Sequence, residues 1–366
     1  MTRLNELFDS QNQSPWLDNL RRGWITGGEL QGWIDKGVVG ITSNPSIFQK
    51  AMSTGTDYDV ELASLAKRGT SVKDSYWTLV VADIHGALDL LRPVYDRTNG
   101  LDGYVSVEVD PTLARDTEGT LASARALWAR VDRPNVYIKV PATAEGVPAI
   151  KALIRDGINV NVTLIFGLAR YDEVMNAFID GLSERVAAGH PIAHVSSVAS
   201  FFVSRVDSET DRRLNEIGTD EARALKGKAA VANAKRAYRA FLARVAGSEW
   251  EALAAAGATV QRPLWASTST KDPSYPDTLY VDQLIGPHTV NTLPDATLAA
   301  FLDHGTVART VDTDLAAADT VIEQLGRLGV DIDDVTKVLE DEGVAAFVKS
   351  FDDLLETLGA KVAEKA

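Results

Sequence analysis

The stretch NVYIKVPAT, residues 135–143, holds a β-strand at VYIKV (136–140), because Val136, Ile138 and Val140 alternate with Tyr137 and Lys139. Strand side chains point alternately to opposite faces, so Lys139 projects away from the aliphatic face. Lysine is almost never fully buried unless it is paired. The face opposite the valines must therefore hold something that uses an amine. Seven other runs share this β-branched character: SPWLD (14–18), VVGITSN (38–44), YVSVEVD (104–110), INVNVTLIF (158–166), AHVSSVAS (193–200), RPLWAS (262–267) and HTVNTL (288–293).

Helical patterns fill the gaps. DTEGTLASARALWARV (116–131) carries apolar residues at helical spacing, and EGVPAIKALIRDG (145–157) ends in glycine, a common helix stop. GLARYDEVMNAFIDGLSERVAAG (167–189) reads the same way. Residues 50–98 are expected to hold two helices, 207–256 a long helical insertion and 313–364 a helical C-terminal region that frays at its end. Alternating strand and helix means a parallel sheet with helical crossovers. Eight such units predict a closed (β/α)8 TIM barrel, with extra helices in the insertion and at the C-terminus, as a single domain over 1–366. The rival is a doubly wound open sheet. Its dinucleotide-binding form needs G-x-G-x-x-G after a strand, and GGELQG (27–32) fits neither spacing nor context.

Composition narrows the function. Of 366 residues, 45% are hydrophobic, enough for a large core, and none is cysteine, which excludes disulfides and thiol catalysis. No apolar run approaches the ~18 residues of a membrane span. MTRLNELFDSQNQS lacks the apolar block of a secretory signal, so a cytoplasmic location is expected. A net charge of −14 argues against a nucleic-acid partner, and an anionic ligand would need a local cluster of donors. Of five histidines only His190 and His194 are four apart, with Pro191 between them, so no metal site is expected.

Period-two alternation identifies which residues face the barrel interior. With Val105, Val107 and Val109 toward the helices, Ser106 and Glu108 point inward; with Val160, Val162 and Leu164 outward, Asn159, Asn161 and Thr163 point inward. Val39 and Ile41 face out, which leaves Thr42 and Asn44 inside, while Asp18 is placed at the end of the first strand and Ser200 at the end of the sixth. A barrel filled only for stability would use Val, Ile and Leu at these positions, and the C-terminal ends of the strands are where (β/α)8 enzymes carry their sites. The plainer alternative is a polar core layer whose members satisfy one another.

A neutral amine attacks a ketone to form a Schiff base, whose protonated imine draws electrons from a neighbouring C–C bond, with no metal or cofactor. Free lysine titrates near 10.4. Burial lowers that value toward the useful range of roughly 7–8, whereas a close carboxylate raises it. Lys139 is thus the candidate nucleophile. Glu108 with Thr163 would position a proton-shuttling water, with Glu108 acting at some distance. Asp18 would take the proton of a substrate hydroxyl, and Asn44 and Asn161 would hold substrate hydroxyls. Either carboxylate could instead be only an ion-pair partner of the lysine.

At these residues the sequence resembles the transaldolase family. The matching segments are GITSNPSIF, VSVEVDPTLARDTE, YIKVPAT, GINVNVTLIF, SFFVSRVD and RPLWASTSTKDPSYPDTLYVDQLIGPHTVNTLP, in family order over about residues 14–310, and the length is similar to the longer bacterial subclass. The resemblance implies a (β/α)8 barrel without cofactor. The implied reaction moves a dihydroxyacetone unit from sedoheptulose 7-phosphate or fructose 6-phosphate to glyceraldehyde 3-phosphate or erythrose 4-phosphate, in the pentose phosphate pathway. Lys139 matches the family's Schiff-base lysine, Asp18 and Glu108 its carboxylates, Asn161 and Thr163 its N-x-T pair, and Thr42 and Asn44 its T-x-N. Ser200 and Arg205 match a serine and an arginine that contact the substrate phosphate. Shorter members carry Ser-x-Arg after strand seven. This chain has ASTSTKD there, which leaves Ser267 or Ser269 and Lys271 as substitutes. A class I aldolase that releases free dihydroxyacetone and a non-catalytic sugar-phosphate-binding barrel are the competing expectations.

Overall fold

A computed structural model describes residues 1–365. Eight parallel strands close into a barrel in chain order: β1 (Gln13–Leu17), β2 (Gly40–Thr42), β3 (Tyr104–Glu108), β4 (Val136–Pro141), β5 (Val160–Ile165), β6 (Ser197–Phe202), β7 (Arg262–Ala266) and β8 (Thr289–Leu293). Pairing of β1 with β8 completes the ring, with Trp16 beside Thr292 and Leu17 beside Leu293.

Six of the strands are shorter than their runs, while β1 keeps its length one residue earlier and β4 extends to Pro141. β6 is displaced toward the C-terminus: residues 193–195 form a turn closed by Val195 N–H on the Ile192 carbonyl, so Ser200 lies inside the strand and Phe202 ends it. β1 stops at Leu17, although Asp18 N–H still donates to the Leu293 carbonyl at 2.8 Å. In β5 the register slips between Val162 and Ile165, and Leu164 adopts φ +60°, so the outward alternation fails at that residue. A non-glycine residue in this region is strained, and such strain persists only where surrounding packing imposes it.

Local rules account for the helices. Asp116 caps Thr117–Val131 by accepting from Gly119 N–H, and Gly157 ends Gly146–Asp156 in the left-handed conformation. Residues 50–98 hold Asp59–Lys67, Val72–Arg97 and the end of a third helix, Pro45–Ser53, which Asn44 caps by accepting from Ile47 N–H. The β6–β7 connection contains four helices, Ser204–Ile217, Asp220–Leu225, Ala229–Val245 and Ser248–Ala255. The C-terminal region forms Leu315–Arg327 and then Ile332–Lys365, a helix that continues through the segment expected to fray. No helix among the described residues is long and apolar enough to cross a membrane.

The N-terminal end of the barrel is filled by large side chains. Trp16, Tyr104 and Tyr137 pack there, with the two tyrosine rings stacked at 4.2 Å between centroids. Gly40 leaves room for Trp16: a Cβ at that position would stand 2.3 Å from the indole. Arg262 lies buried against Asp102 at 3.1 Å, and Asp102 also accepts from Trp16 Nε1 at 2.8 Å. A cavity of about 530 Å3 opens beneath this layer, next to His194 and His288. Its one buried cation, Arg262, is fully engaged with Asp102, Ser14 and the Leu101 carbonyl. The apolar core occupies the space between barrel and helices, with Val105, Val107, Val136, Ile138, Val140, Val160 and Val162 all buried.

Candidate active site

The residues nominated from sequence meet at the other end, where the strands finish. A pocket of about 120 Å3 is lined by Asp18, Thr42, Asn44, Lys139, Ser200, Arg205, Ser267, Ser269 and Lys271, together with Phe202, Ala266, Thr292, Pro294 and Phe347. Glu108, Asn161 and Thr163 lie behind this lining, buried between the strands.

Lys139 is 4% exposed, and its Nζ reaches the pocket. Strand register explains its neighbours, since β3 and β4 align Glu108 with Lys139, and β4 and β5 align Lys139 with Asn161. Glu108 Oε2 stands 3.5 Å from Nζ, inside ion-pair range and longer than a good hydrogen bond. Nζ also donates to the Ser43 carbonyl at 3.4 Å. Burial pushes the Glu108 carboxyl up to about 7, against the opposing pull of Lys139. Glu108 Oε2 and Thr163 Oγ1 are buried without a hydrogen-bond partner. Groups of this kind are normally satisfied by protein or ordered water.

Asp18 lines the same pocket just beyond the end of β1. Its Oδ1 accepts from Thr42 Oγ1 at 2.6 Å, and Thr42 Oγ1 lies 2.6 Å from Thr292 Oγ1 on β8. Each hydroxyl carries one proton. Thr292 therefore donates to Thr42, and Thr42 to Asp18. Burial raises the Asp18 pKa above its ordinary value, while Lys139 and the Thr42 hydrogen bond pull it down. Asn44 commits its Oδ1 to the helix cap, which leaves its amide nitrogen on the pocket side.

Asn161 is buried within a hydrogen-bonded group of side chains. Its Nδ2 donates to Ser106 Oγ at 2.9 Å, and its Oδ1 accepts from Ser200 Oγ at 2.7 Å. The three residues satisfy one another across β3, β5 and β6. Asn161 thus orients Ser200, which does line the pocket.

Two cations stand at the far wall. Arg205 begins the helix after β6, partly buried, with its guanidinium 5.4 Å from the centroid of Phe202. Burial lowers its pKa, while Glu342 and Asp18 favour its charge. Lys271 is exposed along its length, yet its Nζ donates to Ser269 Oγ at 2.7 Å and faces the same pocket. Burial of the ammonium and the neighbouring Arg205 hold its pKa down. Ser267 follows β7 at φ +56°, with its Oγ 2.9 Å from Ser204 Oγ. That left-handed turn takes the chain from β7 into the loop carrying Ser269 and Lys271. Both cations thus line one pocket in a chain of net charge −14.

Sequence reasoning missed Thr292 and Phe347. Thr292 gave a contrary signal, because it shares parity with Val290, and only the register beside Trp16 places it at the pocket. Phe347 had none: it belongs to the stripe Phe347, Phe351, Leu354 and Leu358, which reads as an ordinary buried helix face.

The fold and site define a (β/α)8 barrel with an amine among carboxylates at the C-terminal ends of its strands. The chain belongs to the transaldolase/fructose-6-phosphate aldolase family, whose pattern it matches over residues 15–358. It is 54% identical to transaldolase 1 of Streptomyces avermitilis over 362 residues, which is 98% of this chain and 96% of that protein. Similarity to the transaldolase of Thermobifida fusca is 53% over 362 residues, 98% of each chain. To the transaldolase of a Parafrankia species it is 54% over 353 residues, 96% of each.

Proposed function

We propose that this chain acts as a cytoplasmic transaldolase of the pentose phosphate pathway, with the whole chain working as one barrel unit and Lys139 as its nucleophile. The donor is a ketose phosphate such as sedoheptulose 7-phosphate or fructose 6-phosphate. The acceptor is glyceraldehyde 3-phosphate or erythrose 4-phosphate. The observation that carries this reading is the Lys139 amine, 4% exposed, at the wall of a pocket with Glu108 3.5 Å away and two cations opposite.

The neutral amine adds to the ketose carbonyl carbon, and loss of water gives the imine. Glu108, held near 7, passes protons in both directions at neutral pH through a water shared with Thr163. Asp18 then takes the proton from the hydroxyl at the far side of the bond to be cut, aided by the basicity that burial gives it. That bond breaks, its electron pair moves toward the iminium nitrogen, and the aldose phosphate leaves. The remaining enamine attacks the acceptor aldehyde, Asp18 returns its proton to the new alkoxide, and water hydrolyses the imine. Thr42 and Thr292 fix the Asp18 carboxylate, and Asn44 and Ser200 bind hydroxyls, with Ser200 set by Asn161. Arg205 and Lys271 hold the phosphate with Ser267 and Ser269. Lysine serves there as a point charge without arginine's planar fork.

Borohydride added with fructose 6-phosphate should fix a three-carbon adduct on Lys139, seen by peptide mass. Erythrose 4-phosphate should then yield sedoheptulose 7-phosphate. Equal release of free dihydroxyacetone with and without acceptor would make the protein an aldolase, and no adduct would leave only a sugar-phosphate binder.

A further inference from the structure

The loop after β7 carries Lys271, and the helix after β6 carries Arg205. Residues 267–278 form neither helix nor strand, and Lys271 lies midway between Ser267 and Tyr275. At the near end of this loop Ser204 N–H donates to the Ser267 carbonyl at 3.0 Å, and the two Oγ atoms stand 2.9 Å apart. At the far end tyrosines reach carboxylates. Tyr275 Oη donates to Asp211 Oδ2 at 2.7 Å, and Tyr280 Oη donates to Asp207 Oδ2 at 2.8 Å. Asp207 and Asp211 are buried one turn apart on the helix Ser204–Ile217, so they share a face. The loop is therefore stapled to the helix that bears Arg205 at Ser204 and again at Asp211, roughly 10 Å further along the axis.

The remaining carboxylate oxygens are also occupied. Asp207 Oδ1 accepts from Ala230 N–H at 2.8 Å, and Asp211 Oδ1 from Gly227 N–H at 3.0 Å, at the start of the helix Ala229–Val245. Satisfying those backbone donors takes one oxygen of each carboxylate. In both cases the other oxygen goes to a tyrosine that follows Lys271 in the chain. Gly227 makes room for the contact, since its φ is +71° and a Cβ there would stand 2.7 Å from the Tyr275 ring. Burial raises the pKa of both tyrosines, with the carboxylate that each one meets adding to the shift, so each hydroxyl keeps its proton and is the donor.

Packing alone does not hold Lys271. The residue is exposed, and it lines both the reactive pocket and a second hollow of about 430 Å3 bounded by Asp207, Asp211, Tyr275 and Tyr280. A flexible four-carbon stem beside open space has rotamer freedom to lose when its ammonium is ordered. We propose that Tyr275 and Tyr280 are positioning residues for the substrate phosphate: by bonding Asp211 and Asp207 they hold the Lys271 ammonium at a fixed separation from the Arg205 guanidinium. The proposal rests on the reading of Lys271 and Arg205 as phosphate ligands. A phosphate that meets one fixed and one mobile cation loses affinity to the ordering of the mobile one. Cations already set along one helix avoid that loss, and the gain is confined to phosphorylated substrates.

The test is transfer by the full chain from fructose 6-phosphate to erythrose 4-phosphate or to unphosphorylated erythrose, followed in both cases by release of glyceraldehyde 3-phosphate. The quantity read is the ratio of the two acceptors' kcat/KM values. Tyr275→Phe keeps the ring on Gly227 and removes only the hydroxyl. The ratio is expected to fall about tenfold, through KM for erythrose 4-phosphate and with kcat nearly unchanged. In a Lys271→Ala background the same substitution should change the ratio by less than about twofold, because no ammonium is left to place. An unchanged ratio both in Tyr275→Phe and in the double variant with Tyr280→Phe, whatever their melting temperatures, overturns the proposal and leaves the tyrosines as packing residues. A fall that persists in full without Lys271 overturns it as well. Equal ratios in wild type and in Lys271→Ala alone are a different result, which removes the phosphate role of the lysine itself and the proposal with it.

Discussion

Replacing Glu108 with glutamine separates what the carboxylate does for catalysis from what it does to the fold. Burial raises the Glu108 pKa from 4.5 to about 7, with Lys139 opposing and Asp18 adding to the shift. Below pH 4.5 the folded and unfolded chains both carry the proton, and the group has no effect on stability. Between 4.5 and about 7 the unfolded chain loses it first, so wild-type stability falls as pH rises. Above about 7 the whole deficit remains. At about 1.4 kcal/mol per unit it amounts to ~3 kcal/mol. Glutamine resembles the protonated acid in shape and has no proton to lose. Glu108→Gln should therefore melt close to wild type at pH 4.5 and above it at pH 8. For 366 residues a ~3 kcal/mol gain corresponds to roughly 4 °C in Tm. Loss of the proton shuttle should at the same time lower kcat by about 10²–10⁴-fold. The assay is a pair of thermal melts, at pH 4.5 and pH 8, beside transfer rates at neutral pH. A variant that melts below wild type by the same margin at both pH values would refute the reasoning. It would mean that the carboxylate is a stabilising ion-pair partner of Lys139 and not a strained catalytic group.

Lys139→Met should abolish the borohydride adduct and lower turnover by more than about 10³-fold, measured by the coupled transfer assay. Arg205→Ala and Lys271→Ala should each raise KM for fructose 6-phosphate by about tenfold, as loss of a charged hydrogen bond requires. Their rates with unphosphorylated glyceraldehyde as acceptor should change less, and equal losses on both kinds of substrate would refute the phosphate-binding role proposed for them. Gly40→Ala drives a methyl into Trp16 from 2.3 Å, so it should destabilise the fold by at least about 1–3 kcal/mol, read from the denaturant midpoint.

The barrel could be read from the sequence because β3, β4 and β5 each bury an aliphatic face. Val136, Ile138 and Val140 fix the parity of β4, and the same rule turns Glu108, Asn161 and Thr163 inward. Ends were less readable. β6 begins four residues later than its β-branched run, because the turn at Val195 depends on one hydrogen bond to Ile192 and not on residue type. Leu164 broke the alternation for a non-local reason, since its partner is a helix nearly two hundred residues away in the chain. Asn161 points inward as its parity requires, and its bonds to Ser106 and Ser200 are a matter of distances between strands that no single strand encodes.

The sequence by itself determined the period of the strands, the inward direction of the lysine and carboxylates, and the family. All of these follow from local patterning, in which backbone geometry forces every second side chain to one face. The tertiary structure decided how those groups meet. It set the separation of Lys139 from Glu108, the Thr292 to Thr42 to Asp18 relay, and the gathering of Arg205 and Lys271 from separate connections. It also decided that the C-terminal helix, and not the segment between β6 and β7, carries Phe347 over the amine. An apolar stripe states that a helix must be buried, but the surface it covers depends on the closed barrel as a whole.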